Sequence, residues 1–279
     1  MSQRLEIRNL SHSYPPRTVL EDIAFTVPAG RTVALVGPSG CGKTTLLHLC
    51  AGFLTVQKGQ LDNSFQRPAV MFQQPRLLPW KTTHDNIALG LQAQGMPLTQ
   101  RLARSAAMAA AVGLDALALA QFPHELSGGM QSRAALARAL VLAPDLLLMD
   151  EPFSALDIGL KQQLHRLLLA HQAEHGLAVL MITHDLMEAV RLADSILVMA
   201  AEPGRIVHRL ELQQPARLRS DAEVYRLTAE FLQHPAVCAS FDILPPQLGA
   251  AQVRSTQIES TQMQVTQQTP LTPPQERRT

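Results

Sequence analysis

At 279 residues the chain is long enough for one large domain or two small ones around a substantial core. With 46% hydrophobic and 17% charged residues its composition is globular, and 24 Lys plus Arg against 23 Asp plus Glu leave a net charge of +1, which removes any field-based case for nucleic acid or an anionic membrane surface. No apolar run approaches the roughly 18 to 20 residues of a membrane-spanning helix, so the chain is not expected to cross a bilayer by itself.

In chain order, short apolar runs recur at Thr32–Val36, Ala69–Phe72, Leu146–Met149, Val179–Thr183 and Ile196–Met199, with helical stretches between most of them. These runs are continuously apolar instead of alternating, which suits central strands of a mostly parallel sheet covered on both faces and predicts an α/β fold. Between about Thr82 and Ala143 Ala, Leu, Gln and Arg dominate; Thr99–Val112 and Ser127–Ala143 read as helices of an α-helical subdomain inserted in the α/β core. Asp157–Glu174 reads as a further helix, with Leu160, Leu164, Leu167 and Leu168 on one face and Gly176 as its stop. From about Asp242 to Thr279 roughly half the residues are Gln, Thr or Pro, the composition of a disordered tail. The amino terminus lacks the apolar stretch of a secretory signal, and Cys41, Cys50 and Cys238 at irregular spacings suggest neither a disulfide framework nor a zinc site, so a reducing cytosol is the expected compartment.

The first chemical signal is Gly37, Pro38, Ser39, Gly40, Cys41, Gly42, Lys43, Thr44 and Thr45, which fit GxxxxGK[ST] directly after one apolar strand and directly before a helical run. Glycines let backbone N–H groups curl around phosphate oxygens, and the helix start adds donors and dipole. Lys43 then reaches the terminal phosphates of ATP and the Thr44 hydroxyl is a ligand for Mg²⁺. Cys41, placed at that helix start, is expected to favour its thiolate and be reactive. The second signal is Asp150-Glu151, two carboxylates ending a buried-type strand and expected on opposite faces of it. A strand ending this way is often only an exit into solvent; beside a phosphate loop, Asp150 suits the Mg²⁺ shell and Glu151 a general base for the attacking water. The third is Leu126-Ser-Gly-Gly-Met130, where Ser127 is a good N-cap and Gly128 and Gly129 leave first-turn N–H groups open as a second anion site.

Together these motifs resemble the nucleotide-binding subunit of ABC transporters, whose signature reads Leu-Ser-Gly-Gly-Gln. The resemblance spans residues 3 to about 235, taken as one ABC ATP-binding cassette with the helical subdomain at about 82–143, and it implies a P-loop NTPase core with an N-terminal antiparallel β portion. It further implies a head-to-tail homodimer in which the phosphate loop of each chain faces Ser127 and Gly129 of its mate. Tyr14 then resembles the aromatic residue that stacks on adenine, and Gln73 the glutamine that reaches Mg²⁺ and the attacking water. His184, after the strand Val179–Thr183, resembles the switch histidine at the γ-phosphate, and Ser154-Ala-Leu-Asp157 the loop that crosses the dimer interface. Met130, Gln131 and Ser132 depart from the usual signature sequence while Ser127 and both glycines are intact.

Pro75-Arg-Leu-Leu-Pro-Trp80-Lys81 and Pro203-Gly-Arg-Ile-Val207 resemble the importer branch that serves nitrate, sulfonates, taurine and pyrimidine precursors of thiamine. The implied function is ATP hydrolysis driving solute uptake by separate transmembrane permease subunits, which dock near Leu77, Leu78 and Trp80, together with a solute-binding protein. The implied location is peripheral, on the cytoplasmic face of the inner membrane. The competing reading is a soluble ABC-type ATPase without a membrane partner, a class that usually carries two cassettes or a long coiled-coil insertion.

Overall fold

The computed structural model describes residues 3–154 and 156–241. The expected tail from Asp242 onward lies outside the described residues, as does Ala155 of the Ser154–Asp157 loop.

Strands β1 (Arg4–Tyr14) and β2 (Arg17–Pro28) form an antiparallel pair joined by a tight turn. Both alternate as half-buried strands should, with Leu5, Ile7 and Leu10 of β1 and Leu20, Ile23, Phe25 and Val27 of β2 buried. Strand β4 (Lys58–Asn63) pairs antiparallel on the other side of β1, giving a three-stranded sheet in the order β2-β1-β4.

The larger sheet combines β3 (Thr32–Val36), β5 (Pro68–Met71), β6 (Leu146–Asp150), β7 (Ala178–Ile182), β8 (Ser195–Ala200) and β9 (Arg205–Glu211) in the order β5-β6-β7-β3-β8-β9. All neighbours are parallel except β9, which runs antiparallel to β8. The expected two-sided burial is present. Val33 and Leu35 of β3, with Leu146, Leu148, Leu180 and Leu197, share a core with the three-stranded sheet and with Leu46, Leu47 and Leu49 of the helix after β3, whereas Ala34, Val36, Leu147, Met149, Val179, Met181, Ile196 and Val198 share one with the other helices. The central strands β3, β6, β7 and β8 are therefore apolar along most of their length, polar only at Thr32, Asp150 and Ser195 at their ends, and they lack the alternation that marks β1, β2 and the edge strand β9.

Helix α1 (Lys43–Cys50) follows β3 directly. Helices α2 (Thr83–Ala93), α3 (Leu98–Ala111), α4 (Ala116–Ala120) and α5 (Gly128–Leu140) fill the chain between β5 and β6. Helix α6 (Ile158–His175) starts at Asp157, whose Oδ1 accepts from Leu160 N at 2.9 Å, and ends at Gly176 with φ +64. Helices α7 (Leu186–Leu192), α8 (Asp221–Leu232) and α9 (Pro235–Ser240) complete the described chain. None of the described helices is long and apolar enough to cross a membrane.

Parallel pairing has one consequence that matters for chemistry. Leu35 of β3 and Asp150 of β6 both stand level with Ile182 of β7, and Met149 of β6 with Met71 of β5. The carboxyl ends of β3, β5, β6 and β7 therefore open onto one edge of the sheet, where ligands of open α/β folds bind.

Candidate active site

Each of those four strand ends delivers a candidate residue. The loop after β3 wraps into α1 and seats Lys43, only 8% exposed, so that its Nζ donates to Gly37 O and Pro38 O at 2.8 Å each. Its ammonium is thereby pre-aimed into the hollow of the loop, held by carbonyls that a phosphate can replace. The loop is tight: Gly204, after β8, packs so closely on the Cys41 carbonyl that any side chain there would collide with it. Gly204 also exchanges backbone hydrogen bonds with β2, donating to Val19 O at 2.9 Å and accepting from Glu21 N at 3.0 Å.

The Thr44 hydroxyl donates to Asp150 Oδ2 at 2.9 Å. Burial pushes the Asp150 carboxyl above its ordinary range; the bond from Thr44 opposes that rise and the neighbouring Glu151 charge adds to it. Glu151 does not lie on the strand as the sequence suggested. Strand β6 ends at Asp150, and Glu151 adopts φ +46, which turns the chain sharply, so the simple opposite-face rule for strand neighbours does not apply. The turn brings the Glu151 carboxylate to Gln73, whose Nε2 donates to Oε2 at 3.2 Å, and to His184, whose Nδ1 lies 3.3 Å from Oε1. A non-glycine residue in the left-handed region is a sparsely populated conformation of the kind that clusters at functional sites.

These groups line one open cavity of about 330 Å³, with Ser39, Gly40, Gly42, Lys43, Thr44 and Thr45 on one side and Gln73, Asp150 and Glu151 on the other. Val19 and Ile182 complete the wall; neither carries a chemical motif, so the sequence offered no sign of them.

Other candidates lie outside that wall. Tyr14 is half exposed at the end of β1, its ring edge-on to His12 with centroids 4.9 Å apart. Ser127 caps α5, its hydroxyl accepting from Met130 N at 3.3 Å, and Gly128 has open space around it. Met130 packs partly buried against the core, while the Gln131 amide supports the turn before the helix by donating to Pro123 O at 2.9 Å and Leu126 O at 3.2 Å. Asp157 serves as the cap of α6.

The expectation of a reactive Cys41 is overturned. Its side chain is 1% exposed in the core beneath the loop, and burial pushes the thiol up more strongly than the nearby Lys43 ammonium draws it down. A helix start favours a thiolate only where solvent reaches the sulfur. Leu77 and Leu78 are half-buried, Leu77 packing against the core, while Trp80 is 71% exposed.

A phosphate loop, a carboxylate pair and a polar triad at the carboxyl edge of a parallel sheet, with a serine-capped glycine helix on an inserted helical segment, define a nucleotide-hydrolysing cassette. The sequence model of the ABC transporter family matches residues 20–154. The taurine import ATP-binding protein TauB of Escherichia coli K12 is 43% identical over 215 residues, covering 75% of this chain and 84% of TauB, and TauB of Shigella sonnei matches equally. Among solved structures, a dimeric bacterial ABC transporter cassette superposes with TM-score 0.70 at 25% identity, covering 75% of this chain and 99% of that one. A dimeric post-hydrolysis form of that cassette, bound to ADP and Pi, superposes with TM-score 0.69 at 25% identity over the same shares.

The chain belongs to the ABC transporter family, as an ATP-binding and ATP-hydrolysing import subunit. Its relatives are import proteins, which favours the transport reading over a soluble ATPase without a membrane partner.

Proposed function

We propose that this subunit powers uptake of a small sulfonate of the taurine class, working as a head-to-tail homodimer beneath separate permease subunits. In this reading residues 3–235 are the cassette, with the helices of about 82–143 as its insertion. The subunit sits peripherally on the cytoplasmic face of the inner membrane, and its permease docks near Trp80, with Leu77 and Leu78 shaping the surface around it. A solute-binding protein on the far side presents the cargo.

Mg²⁺ fits the residues present: Thr44 and Asp150 offer two hard oxygen donors 2.9 Å apart on the cavity floor, with the Gln73 amide oxygen a third within the same cavity. Bound with ATP, the ion would supply neutralisation of the charge that develops on the transferred phosphoryl group. The chain's own groups do the rest. Loop N–H groups and Lys43 hold the phosphates, Lys43 exchanging its carbonyl partners for phosphate oxygens. Glu151 takes the proton of the attacking water as that water bonds to the γ-phosphorus and the bond to the β-γ bridging oxygen breaks. Gln73 and His184 hold the Glu151 carboxylate on both sides, with His184 facing the departing phosphate. Tyr14 stacks on the base. Ser127, Gly128 and Gly129 of the mate contact the γ-phosphate from the other side, with Asp157 at the interface, so that ATP completes its own site only when two chains close on it.

The observation that carries this reading is the Glu151 carboxylate bracketed by Gln73 and His184 at the mouth of the cavity floored by Lys43 and Thr44. Glu151→Gln tests it. The variant is expected to bind ATP as the native chain does and to lose about 10²-fold or more in turnover, read by phosphate release. Native turnover in that variant contradicts the general-base role.

A further inference from the structure

Beneath the two loops that carry Glu151 and His184 lies a buried pair that the reaction as described does not use. His165 on α6 is 6% exposed and Glu188 on α7 is 5% exposed, with His165 Nε2 3.5 Å from Glu188 Oε1. Both ring nitrogens of His165 and Oε1 of Glu188 are buried without a hydrogen-bond partner. Buried polar groups are normally satisfied, and an orphaned pair facing each other marks an interaction that the protein retains at a cost in stability.

Each member touches one of the two loops. The His165 ring stands edge-on to Phe153, centroids 4.7 Å apart, and Phe153 is the fully buried anchor of the turn that follows Glu151. Glu188 Oε2 accepts from the Thr183 hydroxyl at 2.5 Å, and Thr183 Oγ1 in turn accepts from Asp185 N at 3.0 Å. Thr183 and Asp185 flank His184, so both of its backbone neighbours hang from the Glu188 carboxylate. Helix α6 reaches the same loop a second time, Lys161 Nζ lying 3.7 Å from Asp185 Oδ2.

We infer that His165 is a positioning residue for hydrolysis: by packing on Phe153 and facing Glu188 it sets the His184 loop against the Glu151 loop, and so fixes the 3.3 Å approach of His184 to Glu151. The inference rests on the roles given above to Glu151 and His184. It assigns no contact between His165 and ATP. Its effect falls on the chemical step, where small misplacements of reacting groups are costly, and spares nucleotide binding, which belongs to the loop of Lys43 and Thr44.

Steady-state ATP hydrolysis by the full chain tests it. His165→Leu is expected to lower kcat roughly ten-fold while KM for ATP changes less than about two-fold. His165→Gln, whose amide N–H reaches about where Nε2 does, is expected to keep kcat within about three-fold of native. His165→Leu combined with Glu188→Leu removes the buried polar pair, so it should unfold no more easily than His165→Leu alone while kcat stays low. Native kcat in that double variant shows the pair to be packing only, and overturns the inference. Where His165→Leu does not fold, Thr183→Val leaves the pair in place and removes the hydroxyl that bonds Glu188 and accepts from Asp185 N, its link to the His184 loop. The same kcat loss is expected there, with rescue by Thr183→Ser; native kcat in Thr183→Val overturns the inference. Glu151→Gln run alongside separates the two readings. Turnover surviving in Glu151→Gln removes the general base itself, whereas its loss beside native kcat in the His165 and Thr183 variants removes only the positioning role.

Discussion

Gly42 shows how a single residue sets the phosphate loop. Its φ of +92 is left-handed, and a Cβ there would lie 2.7 Å from Leu20 Cδ2 and 3.1 Å from Val19 Cγ1 of β2. Gly42→Ala is therefore expected to cost about 1–3 kcal/mol of stability and to weaken ATP binding, read by chemical denaturation and nucleotide titration; unchanged values in both would show that the loop tolerates a side chain. Cys41, one residue earlier, makes the opposite point about legibility. The glycine spacing around it is a local pattern and could be read directly, but the buried cluster it joins draws on residues distant in sequence, such as Leu20 and Met199. Burial raises the thiol of Cys41 and pushes that of Cys50 up to about 12, so at neutral pH both hold fewer thiolates than an ordinary cysteine. Alkylation of either in the folded chain is expected to be slow with or without ATP and fast in denaturant; rapid, ATP-protected labelling of Cys41 would contradict its burial. Glu151 was legible as an acid and not as a turn, because a positive φ at a non-glycine residue leaves no mark in composition.

Helix α5 links two parts of the site at the level of elements. Its first turn carries Ser127 and the glycines, and farther along Arg138 NH2 and NH1 donate to Pro75 O at 2.7 Å and Arg76 O at 2.8 Å, in the segment that follows Gln73. Arg138→Ala removes both donors and is expected to cost about 1.5–3 kcal/mol and to speed amide exchange in residues 75–81; exchange confined to its native rate would mean that the segment is held by other contacts. Because Trp80 stands in this segment, Arg138 is a mechanical tie between the signature helix and the surface proposed for the permease. That tie was invisible in the sequence, since a helical arginine carries no sign of which carbonyls it will reach. The central elements were plain, whereas β4, β9 and the last helices were not read. Continuous apolar runs read correctly as strands covered on both faces, and the asymmetry of α6, with Asp157 before it and Gly176 after it, gave its limits almost to the residue. The His165–Glu188 pair fell between these scales: each residue sits on a helix whose apolar periodicity identifies the helix but says nothing about which polar positions meet across the interface.

In the proposed dimer, one chain holds only half of each site. Lys43, Thr44, Gln73, Asp150, Glu151 and His184 converge at the carboxyl edge of the sheet, while the Ser127 helix start lies outside the cavity wall with open space around Gly128. On that proposal, the two sets of phosphate donors meet on ATP only when a second copy pairs with the first, which turns nucleotide binding into a movement that a membrane partner can use. In that proposed division of labour the cassette supplies force and another subunit supplies the path. The mass of Glu151→Gln in solution tests this most directly. With Mg-ATP, light scattering on the eluting peak is expected to give twice the 30.5 kDa chain mass, and adding Ser127→Arg to the same chain is expected to return it to a single chain with ATP still bound. A Glu151→Gln chain that stays at 30.5 kDa when saturated with ATP, or a pairing that Ser127→Arg leaves intact, would contradict it.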